Sequence, residues 1–348
     1  ILHEGFLGVF GDELKEMDYE DVEEKKFVAN SSKGWLGITD KYWLTAIVPE
    51  KGKNFKSEFL SQNGKYKANF IIKDPTIVNP ESSSMSVSSV FVAAKEVSAI
   101  DNYAEKLGIE KFDLTIDWGW FYFFTKPLFF VIDYFFKLTG NFGWAIVIIT
   151  ALVRLIFFPL ANYSFRSMAK MKVLQPEMLR LKELHKDDKT KLQQEMMALY
   201  KREKVNPISG CLPVLIQIPF FFAIYKMLFV TLEMRHQPFF GWVEDLSARD
   251  PTSIFNLFGL IPWDPPTFLM IGAWPILMGL SMYLQQKLNP TPPDPIQAKI
   301  FMFFPLFLTI ILAPFPSGLV VYWTVNNILT IAQQWVIMRG TKVKTVSN

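Results

Sequence analysis

The sequence predicts a polytopic α-helical membrane protein with an N-terminal β-sandwich portion, and three features carry that reading. Residues 1–117 hold 20 acidic and 14 basic side chains, whereas residues 118–348 hold 13 and 22, so the two parts differ in charge sign. The second part contains long apolar runs, among them 39 uncharged residues from Ile300 to Met338. The first part alternates polar and apolar residues in short stretches fenced by Gly and Pro. With 50% hydrophobic residues and a mean hydropathy of +0.19, a single water-soluble domain and a disordered chain are both excluded. The basic excess lies among apolar segments, which argues against specific DNA binding.

Residues 1–110 read as β-rich. The stretch 34–48 is aromatic and β-branched and lies between Gly34 and Pro49, while 65–73 and 84–94 alternate as half-buried strands do. Residues 98–107 read as a short helix. About a hundred residues can fold alone, yet the chain opens abruptly on Ile1, which points to a mature product or a fragment whose β-sandwich is only part of a larger one. Cys211 is the only cysteine, so no intrachain disulfide forms, and His3, His185 and His236 are too scattered to indicate a metal site.

Residues 111–140 form a second region. The greasy run 118–138 carries Lys126, Asp133 and Lys137 at helical spacing, which makes one charged stripe on an aromatic helix. That pattern suits a helix lying in the membrane interface better than a spanning one.

Residues 141–340 form a helical core. Spans need about 20 mostly apolar residues, and five segments qualify: about 143–161, 211–232, 267–286, 299–314 and 317–338. The fourth and fifth come from the 39-residue uncharged run, broken at Pro314, Pro316 and Gly318. The fourth is then unusually short. Residues 162–210 hold 11 basic and 6 acidic side chains, whereas 233–266 hold 2 and 5. The positive-inside rule therefore places 162–210, 287–299 and the C-terminus in the cytoplasm and 233–266 outside. The β domain falls outside as well, which requires a further outward-running span upstream and six in the complete protein.

Arg154 stands out, because a charge at the centre of a span costs about 2.5–3.5 kcal/mol on insertion scales. No Asp or Glu lies in any of the five segments to pair with it. Arg154 must face a wet cavity, a lipid phosphate or a ligand bringing negative charge; a structural arginine bonded to carbonyls is the plainer alternative. Lys226 lies toward a span end, where its stem can snorkel to the headgroups. Thr150, one turn from Arg154, with Gln217, Tyr322, Trp323, Asn326, Asn327, Gln333 and Gln334, could line a polar chamber or simply bond between helices. No GxxxG pair occurs in the spans, so bulky, proline-bearing helices are expected to leave grooves.

Residues 163–206 read as a cytoplasmic helical hairpin with a turn at 185–190. Met168, Met171, Leu174, Met178, Leu181 and Leu184, then Leu192, Met196 and Leu199, recur every three or four residues. Such a stripe serves either an adaptable binding surface or a small two-helix core. Pro176 is expected to bend or start a helix in the first arm. The net charge of the loop also suits anionic lipid or ribosomal RNA. Walker A, HExxH, GxSxG and dinucleotide motifs are absent, and arginine is no proton donor at neutral pH, so the chain reads as not an enzyme.

The segments VRLIFFPLANYSFRSMAKMKVLQPEM (153–178), EMMALYKREKVNPISGCLPVLIQIPFFFAIY (195–225) and FPSGLVVYWTVNNILTIAQQW (315–335) closely resemble the YidC/Oxa/Alb membrane protein insertases. WGWFYFFTKPLF (118–129) and GWLGITDKYWL (34–44) extend the resemblance, toward the Gram-negative bacterial subtype with a large periplasmic β-sandwich. It implies insertion and folding of nascent membrane proteins in the inner membrane, alone or beside the SecYEG and SecDF translocon components, with ribosome and membrane lipids as further partners and no cofactor. It implies a five-helix insertase core whose groove, open to cytoplasm and lipid, holds Arg154, Thr150, Gln217, Tyr322, Trp323 and Asn327. It likewise implies a greasy slide carrying Ile218, Phe222, Phe304 and Leu308, and a hairpin required for activity that includes Met168, Met171, Met178 and Met196. Lys226 and the missing first helix depart from the family pattern. An anion channel or secondary transporter using Arg154 as a selectivity charge is the competing reading, weakened by the lack of an inverted repeat or coupling acid. A purely structural scaffold for the translocon is a third.

Overall fold

The computed structural model describes residues 2–186, 188–206, 212–266, 269–289 and 295–340. Cys211, the first residues of the expected 211–232 and 267–286 segments, and the basic tail with Lys342 and Lys344 lie outside the described residues. The chain divides into two compact units, Ile1–Tyr122 with Phe229–Met234, and Phe123–Leu228 with Arg235–Asn348.

The first unit holds two antiparallel sheets. One has the order β2-β1-β4-β5-β8, from β1 (Gly5–Phe10), β2 (Glu13–Asp18), β4 (Gly34–Thr39), β5 (Trp43–Val48) and β8 (Ser89–Ala94). The other has the order β3-β6-β7, from β3 (Phe27–Ser31), β6 (Phe55–Gln62) and β7 (Lys65–Ile72). Period-two alternation lets a strand such as β5 turn one face inward, whereas β1 is buried on both faces. Phe6 and Leu36 of the first sheet meet Phe59 of the second and Val22 of the short helix α1 (Tyr19–Glu24) in one core. The Phe6 and Phe59 rings lie 5.0 Å apart. The aromatic stretch 34–48 is two strands of a hairpin rather than one, because Asp40 turns the chain and its N–H bonds the Trp43 carbonyl at 2.9 Å. The helix expected at 98–107 is α2 (Val97–Leu107), closed by Gly108 in the left-handed region.

The second unit is helical: α3 (Tyr122–Thr139), α4 (Phe142–Ile156), α5 (Phe158–Leu184), α6 (Lys189–Arg202), α7 (Leu212–Val230), α8 (Ala273–Leu288), α9 (Pro295–Leu312) and α10 (Ser317–Gly340). Among the described residues no single helix is long and apolar enough to cross a membrane; α4 and α5 pass that test together, bent by 68°. The helix expected at 143–161 therefore ends early, at Ile156. Pro159 explains the break, since it has no N–H for the Leu155 carbonyl and its ring crowds the preceding turn. Pro176, in contrast, starts no helix, and α5 runs through it.

The other helices also differ from the expected bounds. The helix of the 299–314 segment is not short: α9 begins at Pro295, where a missing N–H costs nothing, and Lys299 rides its first turns. That of the 267–286 segment begins at Ala273. Asp250 Oδ2 accepts the Trp274 N–H at 2.8 Å and Thr252 Oγ1 accepts the Ala273 N–H at 2.9 Å, capping α8 from the preceding loop. The same loop caps α10, as the Ser317 N–H bonds the Ala248 carbonyl at 2.7 Å and the Gly318 N–H bonds the Leu246 carbonyl at 2.9 Å. Trp144, Phe239, Phe240, Trp242 and Trp274 form one aromatic cluster around these caps.

Helix α10 packs on α8, α4 and α5, and α9 packs on α8. Close approach is achieved without GxxxG. At Gly279 of α8 an added Cβ would overlap the Thr309 hydroxyl of α9, so a single glycine lets these two helices meet.

Candidate functional site

Arg154 occupies the last turn of α4, beside the bend at Phe157, and not the centre of a straight helix. A cation there sits at the negative end of the helix dipole, which favours it. Its Nε and Nη2 both donate to Asn326 Oδ1 of α10, at 2.9 and 2.6 Å, and Nη2 also donates to Gln217 Oε1 of α7 at 3.3 Å. Among the described residues no carboxylate lies within ion-pair distance of it. Neutral amide oxygens thus fix the guanidinium without neutralising it, and its charge stays available to an incoming anion.

The guanidinium opens onto a half-open cavity whose empty space, the adjoining open solvent included, is about 600 Å³. Leu128, Ile149, Val153, Phe157, Phe220 and Ile224 supply apolar wall, and Thr150, Gln217, Tyr322, Asn326 and Gln333 join Arg154 as its polar groups. The Thr150 hydroxyl is spent on its own helix, donating to the Ile146 carbonyl at 2.6 Å. Gln333 Oε1 is buried and makes no hydrogen bond. An apolar chamber with a few convergent polar groups is the ordinary form of a binding site.

Four of the six expected groove residues, Arg154, Thr150, Gln217 and Tyr322, line this cavity, and two do not. Asn327 is turned toward α8, where its Nδ2 donates to Ser281 Oγ at 3.0 Å. Its neighbour Asn326 takes the groove position instead, because one step along a helix rotates the side chain by about 100°. Trp323 stacks edge-on against Phe221, 5.0 Å between centroids, outside the lining. Asn326 and Gln333, polar-chamber candidates by sequence, line the cavity too, whereas Leu128 and the Phe220 ring carry no such signal in the sequence.

The expected slide residues Ile218, Phe222 and Phe304 are exposed, and Leu308 is partly buried. The hairpin methionines fill cores. Met178, with Met171 and Met196 packed around it, joins Leu174, Leu199 and Val205 between α5 and α6, while Met168 sits with Ala161, Phe165 and Ile337 of α10. These methionines are thus internal packing, while Leu184 at the end of the stripe stays exposed.

Comparison with known proteins extends this picture. A family described as the 60Kd inner membrane protein matches residues 134–345, and one described as the YidC periplasmic domain matches residues 1–131. The membrane protein insertase YidC of Pelagibacter ubique (strain HTCC1062) is 65% identical over 345 residues, covering 99% of this chain and 62% of that protein. The chain belongs to the YidC membrane protein insertase family. The YidC of Brucella melitensis biotype 1 is 53% identical over 356 residues, covering 100% of this chain and 58% of the relative. The YidC of Rickettsia conorii is 52% identical, covering 97% and 61%. The chain therefore spans about three fifths of the length of these curated relatives. A solved structure of an active YidC insertase with its first transmembrane domain resolved is 21% identical, covers 94% of this chain and 82% of its own, and superposes with a TM-score of 0.48.

Proposed function

We propose that this chain inserts and folds nascent integral membrane proteins in the inner membrane, using the Arg154 cavity as a polar halfway station. One observation carries the reading: a half-buried guanidinium held, among the described residues, by neutral amide oxygens, in a chamber that mixes apolar wall with a few uncharged polar groups. The acidic or polar tail of a nascent span would be drawn to Arg154, and the distance it must cross in hydrocarbon would shorten. Its apolar segment would then leave sideways along the exposed faces carrying Ile218, Phe222, Phe304 and Leu308. Burial of that span supplies the driving force, at about 25 cal/mol per Å² of apolar surface. In this reading α4, α7, α8, α9 and α10 cross the membrane, α3 lies at its surface, and the β unit is periplasmic. The hairpin α5–α6 faces the cytoplasm, where it would meet the ribosome, and SecYEG and SecDF would be neighbours in the membrane.

Reconstitution into vesicles with a small single-span substrate tests the proposal. Protease-protected substrate should accumulate with the native chain and fall severalfold with Arg154→Ala. A photo-crosslinker at Thr150 should capture an arrested nascent chain, and one at Asn327 should not. Equal insertion by native and Arg154→Ala chains, with only lipid labelled from Thr150, would refute it.

A further inference from the structure

The loop between the aromatic cluster and α8 ends in a tip that nothing in the insertion reading uses. From Pro251 to Trp263 the chain carries no charge, and the sequence IFNLFGLIPW (254–263) is almost wholly apolar. Those side chains point outward: Leu257 is 53% exposed, Phe258 52%, Leu260 84% and Trp263 47%. Leu257 and Phe258 both adopt positive φ, at 48° and 58°, a conformation bulky residues rarely take. Two successive left-handed residues hold the tip in a tight knot with its side chains thrown out, an arrangement with a conformational cost that water alone would not reward.

The backbone of the knot is closed on itself. The Phe258 N–H bonds the Ser253 carbonyl at 2.7 Å, the Ile261 N–H bonds the Asn256 carbonyl at 3.0 Å, and the Leu260 and Trp263 N–H groups bond the Leu257 and Ile261 carbonyls. Asn256 Oδ1 takes the Gly259 N–H at 3.0 Å, and Ser253 Oγ takes that of Phe255 at 3.2 Å. These bonds occupy most of the tip's N–H groups, which lowers the cost of holding its backbone at the interface while its apolar side chains reach hydrocarbon. The loop hangs from the first turns of α8 and α10, through Asp250, Leu246 and Ala248. Trp144, Trp242 and Trp274 cluster beside those turns, and tryptophan settles at headgroup depth.

We infer that residues 254–263 form a lipid anchor, dipping Leu257, Phe258 and Leu260 among the acyl chains of the outer leaflet with Trp263 at headgroup depth. The inference rests on the proposed orientation, with this loop on the periplasmic side. Its occupant is the bilayer itself, since the tip offers no charge for a polar partner and its root is fixed at the ends of apolar helices.

A fluorophore on Leu260→Cys, in the full chain carrying Cys211→Ser and reconstituted in phospholipid vesicles, tests it. Quenching by lipids spin-labelled high on the acyl chain should be strong. Quenching by iodide should be severalfold weaker than for the same label on Ser83→Cys of the β unit. Iodide access equal to that control overturns the anchor, and so does shielding from both quenchers, which would place a protein over the tip. Labelling of Glu244→Cys by an impermeant maleimide in spheroplasts checks the orientation separately. Reaction only after the membrane is opened would remove the orientation and the anchor together, whereas outside labelling with an iodide-accessible tip removes the anchor alone.

Discussion

Arg154 and Asn326, 172 positions apart in sequence, share one short bifurcated contact in which Nε and Nη2 both donate to the same amide oxygen, at 2.9 and 2.6 Å. The contact ties α4 to α10 and aims the guanidinium into the cavity. Hydrogen bonds to charged groups are worth about 1.5–3 kcal/mol, so the pair holds the two helices together whatever part it plays in the proposed groove.

Asn326→Leu should therefore lower the thermal unfolding midpoint in detergent, because it strands a buried cation. Adding Arg154→Met should recover most of that loss, since a matched apolar pair leaves no stranded charge. Insertion would stay lost in the double variant. A midpoint unchanged by Asn326→Leu would show that Gln217 suffices to hold the arginine.

Asn326 and Asn327 should separate in their effects. Asn327→Ala breaks the bond to Ser281 and is expected to cost about 1 kcal/mol of stability while insertion yield per folded molecule stays near the native value. Asn326→Ala should reduce insertion instead. Measuring both variants in the same vesicle assay settles which face of α10 lines the groove.

Gly279→Ala should destabilise the α8–α9 pair by about 1–3 kcal/mol, because the new methyl overlaps Thr309 Oγ1. Thr309→Ala in the same chain removes the obstructing hydroxyl and should restore part of the loss. Failure of that rescue in thermal unfolding would mean the collision lies elsewhere.

Lys95 gives a pH signature in the β unit. It is buried beside Thr39, whose Oγ1 accepts a hydrogen bond from its ammonium group at 2.9 Å. Burial pulls its pKa down to about 8, against the opposing attraction of Asp117, Asp40 and Glu4. The folded value lies below the unfolded one, so the unfolded chain binds the proton more tightly. Stability should then climb as pH rises from about 8 to about 10.5. Below pH 8 the full penalty applies, roughly 3 kcal/mol at 1.36 kcal/mol per unit. Lys95→Met should raise the midpoint at pH 7, with the advantage fading near pH 10.5; an advantage independent of pH would contradict the buried charge.

The large features were legible because they are written as long runs. The change of charge sign at residue 117, the apolar segments and the lone Arg154 needed only composition and spacing. What could not be read depends on neighbours distant in sequence. That Asn326 rather than Asn327 faces the arginine is a rotation about α10, set by the Ser281 contact on the other side. The bend at Phe157 was concealed inside a segment whose apolar run continues unbroken, although Pro159 marked it. Strands β1, β2, β3 and β6 lack the clean alternation of β7, since burial there is decided by which sheet each edge joins. The methionine stripe suits a small two-helix core and leaves room for a binding surface, and the packing of α6 against α5 and of Met168 against Ile337 shows which of its residues are core.

The bend at Phe157 has a mechanical consequence. No linker separates α4 from α5, so the arm of the hairpin is hinged one residue from the last turn of the helix that bears Arg154. At 1.5 Å per residue, the 27 residues of α5 make a lever of about 40 Å. Several ångström of travel at its far end amount to only a few degrees at the hinge. A load on the far end of this arm would reach the guanidinium geared down, as a fine adjustment of its aim.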